Sequence, residues 1–162
     1  MLLDLRSVFE TEGSKKEFSE ELDEREYELF GTKPFVERIS VRGEVTNRAG
    51  VVTLSVQVSF PLRVACDRCL EEFTRQYDYT FTHTLVRQLQ DPWQDYIQVE
   101  DGVLNLEELI LSDILLELPT KLLCKEDCKG LCPQCGCNLN HQSCDCNKAY
   151  HDPRWDVLNT LQ

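Results

Sequence analysis

Nine cysteines dominate the sequence, and seven of them fall within the 23 residues from Cys124 to Cys146. This stretch reads CKEDCKGLCPQCGCNLNHQSCDC, which is too short and too polar to build an apolar core. The other two, Cys66 and Cys69, form an isolated C-x-x-C motif far upstream. The segment therefore needs cross-links between its sulfur atoms, and the candidates are disulfides, an iron–sulfur cluster or zinc.

Structural disulfides are the least favoured of these cross-links. The number of cysteines is odd, so one thiol would be left over. The N-terminal sequence MLLDLRSVFETEG has neither a basic n-region nor a long apolar h-region, so we expect no secretory signal and a soluble, cytoplasmic protein. In a reducing compartment, clustered cysteines are more often metal ligands or redox groups.

The cysteine spacing favours two zinc ions, with four-thiolate iron–sulfur clusters as the alternative. Two partitions into groups of four are open, and both leave Cys137 spare. The first forms one group locally and one with the upstream motif: Cys132, Cys135, Cys144 and Cys146; Cys66, Cys69, Cys124 and Cys128. The second exchanges the pairs: Cys124, Cys128, Cys132 and Cys135; Cys66, Cys69, Cys144 and Cys146. We favour the first partition because local closure of the C-terminal site costs the least loop entropy.

Charge is distributed unevenly along the chain, whose formal net charge is −12. Residues 1–32 hold ten acidic and four basic side chains, whereas residues 33–88 hold six acidic and eight basic ones. An acidic balance argues against nonspecific binding of nucleic acid, so only the middle of the chain and the cysteine region could face a phosphate backbone. No apolar run approaches membrane-spanning length.

Hydrophobic periodicity predicts an α+β fold in three parts. These are an acidic N-terminal segment at 1–32, an antiparallel β-sheet plus one packing helix at 33–120, and a Cys-rich zinc-binding segment at 121–162. We expect the third part to end in a short helix that begins at Asp152 and Pro153.

Individual elements follow from the same patterns. Residues 14–30 are predicted to be an acidic helix. Apolar residues alternate from Phe35 to Val45, from Val52 to Phe60 and from Phe73 to Leu85, which predicts three strands, and a short strand is expected from Tyr96 to Val99. Asn105 and Glu108 form a predicted capping box for a helix that ends at Pro119.

The C-x-x-C motif at Cys66 and Cys69 lies between two predicted strands, at a hairpin tip, where a zinc knuckle would be presented. A redox C-x-x-C would instead open a helix, which lowers the thiol pKa, and no helix is predicted there. The three histidines, His83, His141 and His151, form no metalloenzyme motif. We therefore expect no catalytic residues, with His141 considered only as a substitute for a thiolate in the distal site.

Taken together, the cysteine motifs resemble those of the bacterial large ribosomal RNA subunit accumulation protein family, formerly a domain family of unknown function. The resemblance is carried by CDRCLEEF at 66–73, LP at 118–119, CKEDCKGLCPQCG at 124–136, LN at 139–140, CDC at 144–146 and DPRWxxL at 152–158. It implies a role in accumulation of large-subunit (23S) rRNA, hence in ribosome biogenesis, and supplies no catalytic residues. Some members of that family lack the distal cysteines, which favours two separable metal sites.

The resemblance raises two hypotheses about partners. In the first, the protein binds large-subunit rRNA or a pre-ribosomal particle through its basic side chains, and the candidates are Arg38, Arg42, Arg63, Arg68, Arg75, Lys125 and Lys129. In the second, it is an acidic adaptor or chaperone that holds a basic ribosomal protein. Neither hypothesis involves a membrane.

Overall fold

The computed structural model describes residues 1–29, 31–89 and 95–146. These residues form two compact units. The first comprises the described residues of Met1–Val64 and Glu72–Thr120, and we call it the sheet unit. The second comprises Ala65–Glu71 and the described residues from Lys121 onwards, and we call it the cysteine unit. All described cysteines lie in the cysteine unit.

The sheet unit is built around five strands in the order β2-β3-β4-β5-β6. Their bounds are β2 Lys15–Leu22, β3 Ile39–Arg48, β4 Val51–Ala65, β5 Glu72–Val86 and β6 Tyr96–Gln98. Two short strands, β1 (Leu2–Asp4) and β7 (Val103–Asn105), pair antiparallel in a second sheet. Within the described residues the helices are α1 (Arg6–Glu10), α2 (Leu106–Glu117) and a short 3-10 turn at Glu100–Gly102. Neither α-helix has the length and apolar character that crossing a membrane requires.

The hairpin of β3 and β4 confirms the strands predicted from alternating apolar residues. Arg48 pairs with Val51, and the two intervening residues, Ala49 and Gly50, have φ of 51° and 81°. A positive φ at both positions is what a two-residue loop of type I′ requires. Beyond the turn, every second residue of β4 is buried, from Val52 to Leu62.

The sequence predicts an antiparallel sheet, but the main sheet is mixed. The pairs β2–β3 and β3–β4 are antiparallel, but β6 pairs parallel with β5, with Leu85 opposite Ile97. Alternation reveals which face of a strand is buried, and it carries no information on the direction of its neighbour. The short strand itself was predicted correctly.

Helix α2 is the predicted packing helix. Leu106, Ile110 and Ile114 are fully buried and belong to the same apolar cluster as the inward face of the sheet. Burying each such side chain stabilises the fold by about 1.5–3 kcal/mol relative to leaving it exposed to water. The capping box is absent from its start, since Asn105 makes no side-chain cap to the backbone, and its Nδ2 instead donates to Oε2 of Glu108 at 3.0 Å.

The prediction of an acidic helix at 14–30 is wrong. Residues Lys15–Leu22 form strand β2, which pairs with β3 along its whole length. A strand next to β3 satisfies backbone N–H and C=O groups that would otherwise be unpaired. Charged side chains are common on such an edge strand. In the sequence, these charged residues resembled the polar face of a helix, which led to the wrong prediction. The helix predicted from Asp152 lies outside the described residues.

Candidate metal centre

The first cysteine cluster joins residues from two distant parts of the sequence. Cys66 and Cys69 lie between β4 and β5, and Cys124 and Cys128 follow the sheet unit. The four Sγ atoms all lie within 4.8 Å of one another. The Sγ atoms of Cys69 and Cys124 are 3.6 Å apart. Three of the four residues are buried, so the sulfur atoms face each other rather than solvent.

Backbone hydrogen bonds fix the first pair of this cluster. Segment 66–71 folds on itself: the N–H of Leu70 donates to the carbonyl of Cys66 at 2.9 Å, and the N–H of Cys66 donates to the carbonyl of Glu71 at 2.9 Å. Leu70 accordingly has a φ of 60°. Asp67 then ties this turn to the second segment, because its N–H donates to the carbonyl of Leu122 at 2.9 Å and its Oδ2 accepts from the N–H of Leu122 at 2.6 Å.

Arg68 makes a second tie between the two segments. Its Nη1 donates to the carbonyl of Cys128 at 2.8 Å, and its own carbonyl accepts from the N–H of Leu131 at 3.0 Å. Gly130 lies between these contacts with a φ of 74°, and a Cβ there would come within 2.9 Å of the Arg68 carbonyl oxygen. Only glycine fits that close approach without displacement.

The second cysteine cluster is local and more exposed. It contains Cys132, Cys135, Cys144 and Cys146, whose Sγ atoms also lie within 4.8 Å of one another. The N–H of Gly136 donates to the carbonyl of Cys132 at 2.9 Å, and the N–H of Cys132 donates to the carbonyl of Cys137 at 2.8 Å. These bonds close a tight turn around the Cys132–Cys135 pair. The two clusters correspond to the first partition considered from the sequence.

Hydrogen-bond donors lower the pKa of some thiols in each cluster, and the effect is largest at Cys66 and Cys132. Burial raises the pKa of Cys66, but N–H groups of Cys124, Arg68 and Cys69 outweigh it and lower the pKa to about 6. The N–H groups of Cys135 and Gln134 likewise lower the pKa of Cys132 to about 6. A thiolate is the form of cysteine that binds a metal.

Other thiols of the clusters are held in the protonated form by burial and by neighbouring sulfur atoms, and Cys69 and Cys146 are the clearest cases. The N–H of Glu71 lowers the pKa of Cys69, but burial and the neighbouring sulfur atoms raise it to about 12. The sulfur atom of Cys135, burial and the sulfur atom of Cys132 raise the pKa of Cys146 to about 12. If all four thiols of a cluster ionise, their negative charges lie so close together that they need a compensating cation. Four cysteine sulfurs are the ligand set of a closed structural metal site, so each cluster could hold a metal ion.

Cys137 lies outside both clusters. Hydrogen bonds to the thiols of Cys135 and Cys144, together with burial, raise its pKa to about 12. The backbone carbonyl of Cys137 also accepts a hydrogen bond from the N–H of Cys132. Because neither group of four sulfur atoms includes Cys137, this residue remains the predicted spare.

Neither His83 nor His141, the two histidines that the structure describes, belongs to either cluster. Nε2 of His141 lies 2.7 Å from Oε1 of Glu71, so the idea that His141 replaces a thiolate finds no support in the geometry. In the sheet unit, Nε2 of His83 lies 2.8 Å from Oδ2 of Asp113. His151 lies outside the described residues.

The basic candidates for RNA binding divide between the two units. Arg38, Arg42, Arg63 and Arg75 belong to the sheet unit, and Arg68, Lys125 and Lys129 belong to the cysteine unit. Arg38 lies 3.5 Å from Glu21 and 3.6 Å from Asp23, and the guanidinium of Arg75 lies 5.3 Å from the ring centroid of Phe73. Arg68 is occupied with the Cys128 carbonyl. Arg42, Arg63, Lys125 and Lys129 make no ion pair with a carboxylate of the described chain.

Sequence reasoning missed several polar residues that support the first cluster. Asn140 donates from Nδ2 to Sγ of Cys128 at 3.2 Å, and Glu71 accepts from Sγ of Cys69 at 3.7 Å. Burial raises the pKa of Cys128, but Asn140 and the N–H of Gly130 lower it overall. The only sequence signal for Asn140 was its place in the LN motif at 139–140.

Comparison with known proteins supports the resemblance seen in the sequence. Residues 54–162 match the family described as large ribosomal RNA subunit accumulation protein YceD. An uncharacterized protein of Mycobacterium tuberculosis is 32% identical over 114 residues, which cover 66% of this chain and 54% of that protein. The chain thus spans about half the length of the mycobacterial relatives it matches.

Two other relatives extend the comparison. The large ribosomal RNA subunit accumulation protein YCED homolog 1, chloroplastic, of Arabidopsis thaliana is 31% identical over 72 residues, covering 43% of this chain and 22% of that protein. The uncharacterized protein YlbN of Bacillus subtilis is 26% identical over 130 residues, covering 76% of this chain and 73% of that protein. No solved structure matches the chain significantly. The match over residues 54–162 shows that the chain belongs to the large ribosomal RNA subunit accumulation protein YceD family.

Proposed function

We propose that the protein is a non-catalytic ribosome biogenesis factor that supports accumulation of large-subunit (23S) rRNA by binding that rRNA or a large-subunit assembly intermediate. The observation that carries the proposal is the family match, which spans both cysteine clusters. The family name refers to accumulation of this RNA, and the plant relative bears the same description.

Each cysteine cluster holds one Zn²⁺ in this proposal. Cysteine thiolate is a preferred zinc ligand, and four thiolates leave no position open for a substrate or a catalytic water. When bound, zinc would supply the positive charge that lets four crowded thiolates coexist. The residues Cys66, Cys69, Cys124 and Cys128 would hold one ion, and Cys132, Cys135, Cys144 and Cys146 the other. The role of both ions is therefore structural.

The surroundings of the clusters support a non-catalytic role. Both described histidines are engaged with carboxylates, at 2.7 Å for His141 and 2.8 Å for His83, so neither is paired with a nucleophile. The thiols with lowered pKa, such as Cys66 and Cys132, face other sulfur atoms of their own cluster. Groups arranged in this way bind a cation rather than attack a substrate.

Lys125 and Lys129 are the best placed candidates for contact with RNA phosphates. Both are exposed, and both flank Cys128 in the cysteine unit, so a metal-ordered backbone would present them together. Arg42 and Arg63 offer further positive charge on the sheet unit. With so few basic groups available, binding should rest on a small number of phosphate contacts and weaken at moderate salt.

The affinity for a large-subunit rRNA fragment, measured against salt, tests this proposal. We expect the logarithm of the association constant to fall linearly with the logarithm of the salt concentration. In each of the variants Lys125→Ala and Lys129→Ala, the magnitude of this slope should decrease by about one. Lys33→Ala is the matched control, because Lys33 is already paired with Glu26. Absence of binding at low salt, or binding insensitive to salt, would rule out direct phosphate contacts.

A second candidate function is an acidic adaptor for a basic ribosomal protein. It is favoured by β2, an edge strand of the main sheet, and by the acidic segment 23–28 that follows β2 within the sheet unit. Burial, and after it the neighbouring carboxyl of Glu107, raise the pKa of Glu24, so carboxyl groups are crowded in this part of the sheet unit. Purification of a stoichiometric ribosomal protein without RNA would favour the adaptor over the RNA-binding function.

A further inference from the structure

We propose that Asn140 couples the two metal sites, so that filling the second cluster tightens the first. The inference rests on the proposed zinc binding and goes beyond it, because two closed sites need not influence each other. The coupling element is the segment 138–143, which lies between Cys137 and Cys144, and we call it the Asn140 loop.

The Asn140 loop has a defined internal structure. The N–H and the Nδ2 of Asn140 both donate to Oδ1 of Asn138, each at 2.9 Å. The N–H of Leu139 donates to the carbonyl of Gly130 at 2.9 Å, and Leu131 forms an isolated antiparallel bridge with Asn138. The loop is thus fastened to residues 130–131, which connect the two clusters along the chain.

From this position the loop reaches the first cluster on two sides. Nδ2 of Asn140 donates to Sγ of Cys128 at 3.2 Å, while its Oδ1 accepts from the N–H of Lys129 at 2.9 Å. On the other side, His141 contacts Glu71 at 2.7 Å, and Glu71 in turn accepts from Sγ of Cys69. The Asn140 loop therefore contacts the first site directly at Cys128, and only indirectly at Cys69, through Glu71.

The chemistry of the Asn140 contact favours a metal-bound thiolate. An N–H that donates to a sulfur atom disperses its negative charge and fixes its orientation, as outer contacts to metal ligands commonly do. The ends of the loop, in turn, are held by ligands of the second site, with Cys135 before it and Cys144 after it. An ion in the second site would hold both ends of the loop, so Asn140 would already be in place when the first site fills. Because such coupling is reciprocal, the first ion also favours the second.

Affinity for Co²⁺, a spectroscopic probe of thiolate sites, tests the proposal through a double-mutant cycle. Asn140→Asp keeps the oxygen that accepts from Lys129 and removes the donor to sulfur. The pair Cys144→Ser and Cys146→Ser disables the second site. We expect each change to weaken Co²⁺ binding at the first site by about tenfold to a hundredfold, and the combination to weaken it no further. Gln142→Ala, an exposed change in the same loop, is the control and should have no effect.

A second measurement titrates the zinc-loaded protein with a chelator and counts the steps in which Zn²⁺ is released. This measurement leaves all the metal ligands in place. The unchanged protein should release both ions in one transition, and Asn140→Asp, which keeps all eight ligands, should release them in two. A first-site affinity within twofold of normal in Asn140→Asp, or losses that simply add in the cycle, would overturn the coupling. Failure of the unchanged protein to bind either metal would overturn the zinc assignment itself, which is a distinguishable result.

Discussion

The Sγ atoms of Cys66 and Cys128 lie 3.8 Å apart although 62 positions separate the two residues in the sequence. Both residues are buried, and no disulfide joins the described cysteines. Closing a loop of this length costs conformational entropy, and the hydrogen bonds of Asp67 and Arg68 across the two segments offset only part of what a bound metal could. A shared cation is therefore the interaction that we expect to hold segment 66–71 against the segment that contains Cys128.

Cys66→Ser should remove one zinc ion of two. The hydroxyl of serine is a much weaker zinc ligand than a thiolate, and Cys66 is completely buried, so water cannot readily take its place. Segment 66–71 should then show faster amide hydrogen exchange, because its ties through Asp67 and Arg68 lose their anchor. Native mass spectrometry counts the ions. Retention of two ions with unchanged exchange would contradict the ligand assignment of Cys66.

Cys137→Ser should have almost no effect. The contact that Cys137 makes through its backbone carbonyl to Cys132 is kept in serine, and its thiol is not needed in either set of four. We expect two zinc ions and a Tm within about 2 °C of the unchanged protein, on the scale of ordinary surface substitutions. The loss of an ion, or a large drop in Tm, would show that Cys137 is a ligand.

Gly130→Ala and Gly136→Ala form a matched pair. Both glycines have positive φ, 74° and 73°, so alanine is strained at either position, by about 1–2 kcal/mol. At Gly136 the added Cβ meets nothing within 4 Å, whereas at Gly130 it would lie 2.9 Å from the carbonyl oxygen of Arg68. We expect Gly130→Ala to lower the free energy of unfolding by on the order of 3 kcal/mol, more than Gly136→Ala does.

Denaturant titration at fixed free zinc measures both effects, since bound metal contributes to stability by mass action. Equal losses in the two variants would mean that the close approach of Gly130 to Arg68 does not hold the first cluster together.

The carboxyl of Asp113 should make stability depend on pH. Burial raises its pKa above the ordinary value of 3.8, and the neighbouring His83 only partly lowers it. The folded chain thus holds this proton more tightly than the unfolded chain does. The resulting stabilisation is complete below pH 3.8 and is lost as pH rises through the raised folded value. Asparagine cannot ionise, so the Tm of Asp113→Asn minus that of the unchanged protein should increase between pH 3.5 and pH 7.

Thermal unfolding of both proteins at matched pH checks this difference, and Glu72→Gln, a change at an exposed carboxyl, serves as the control. A Tm difference that decreases with pH would mean that the ionised Asp113–His83 pair stabilises the fold.

The central hairpin and the packing helix could be predicted from the sequence because their signals are local. Apolar residues alternate through Val52–Phe60, and the turn includes Gly50, whose positive φ of 81° is accessible to glycine without a steric cost. The stripe of Leu106, Ile110 and Ile114 recurs at helical spacing. Where one face of an element is buried, its residue pattern is constrained, and the pattern can be recognised without knowledge of its neighbours.

The two wrong predictions, a helix at 14–30 and a wholly antiparallel sheet, concern features that depend on neighbouring strands rather than on local sequence. Strand β2 carries charge on most of its residues, and its conformation is set by pairing with β3 rather than by its own composition. The parallel pairing of β5 with β6 is likewise a property of two strands that neither reveals alone.

For the metal centre, cysteine spacing was sufficient to propose both groups of four. The supporting contacts of Asn140, Arg68 and Gly130 could not be predicted, because they depend on how two distant segments meet.

Metal content of the purified protein is the most direct test of the central claim, that thiols from distant parts of the chain gather around shared cations. Elemental analysis combined with native mass spectrometry should find two zinc ions per chain, with all nine cysteines reactive as thiols after the metal is removed. A folded, metal-free protein, or one whose cysteines are paired as disulfides, would contradict it.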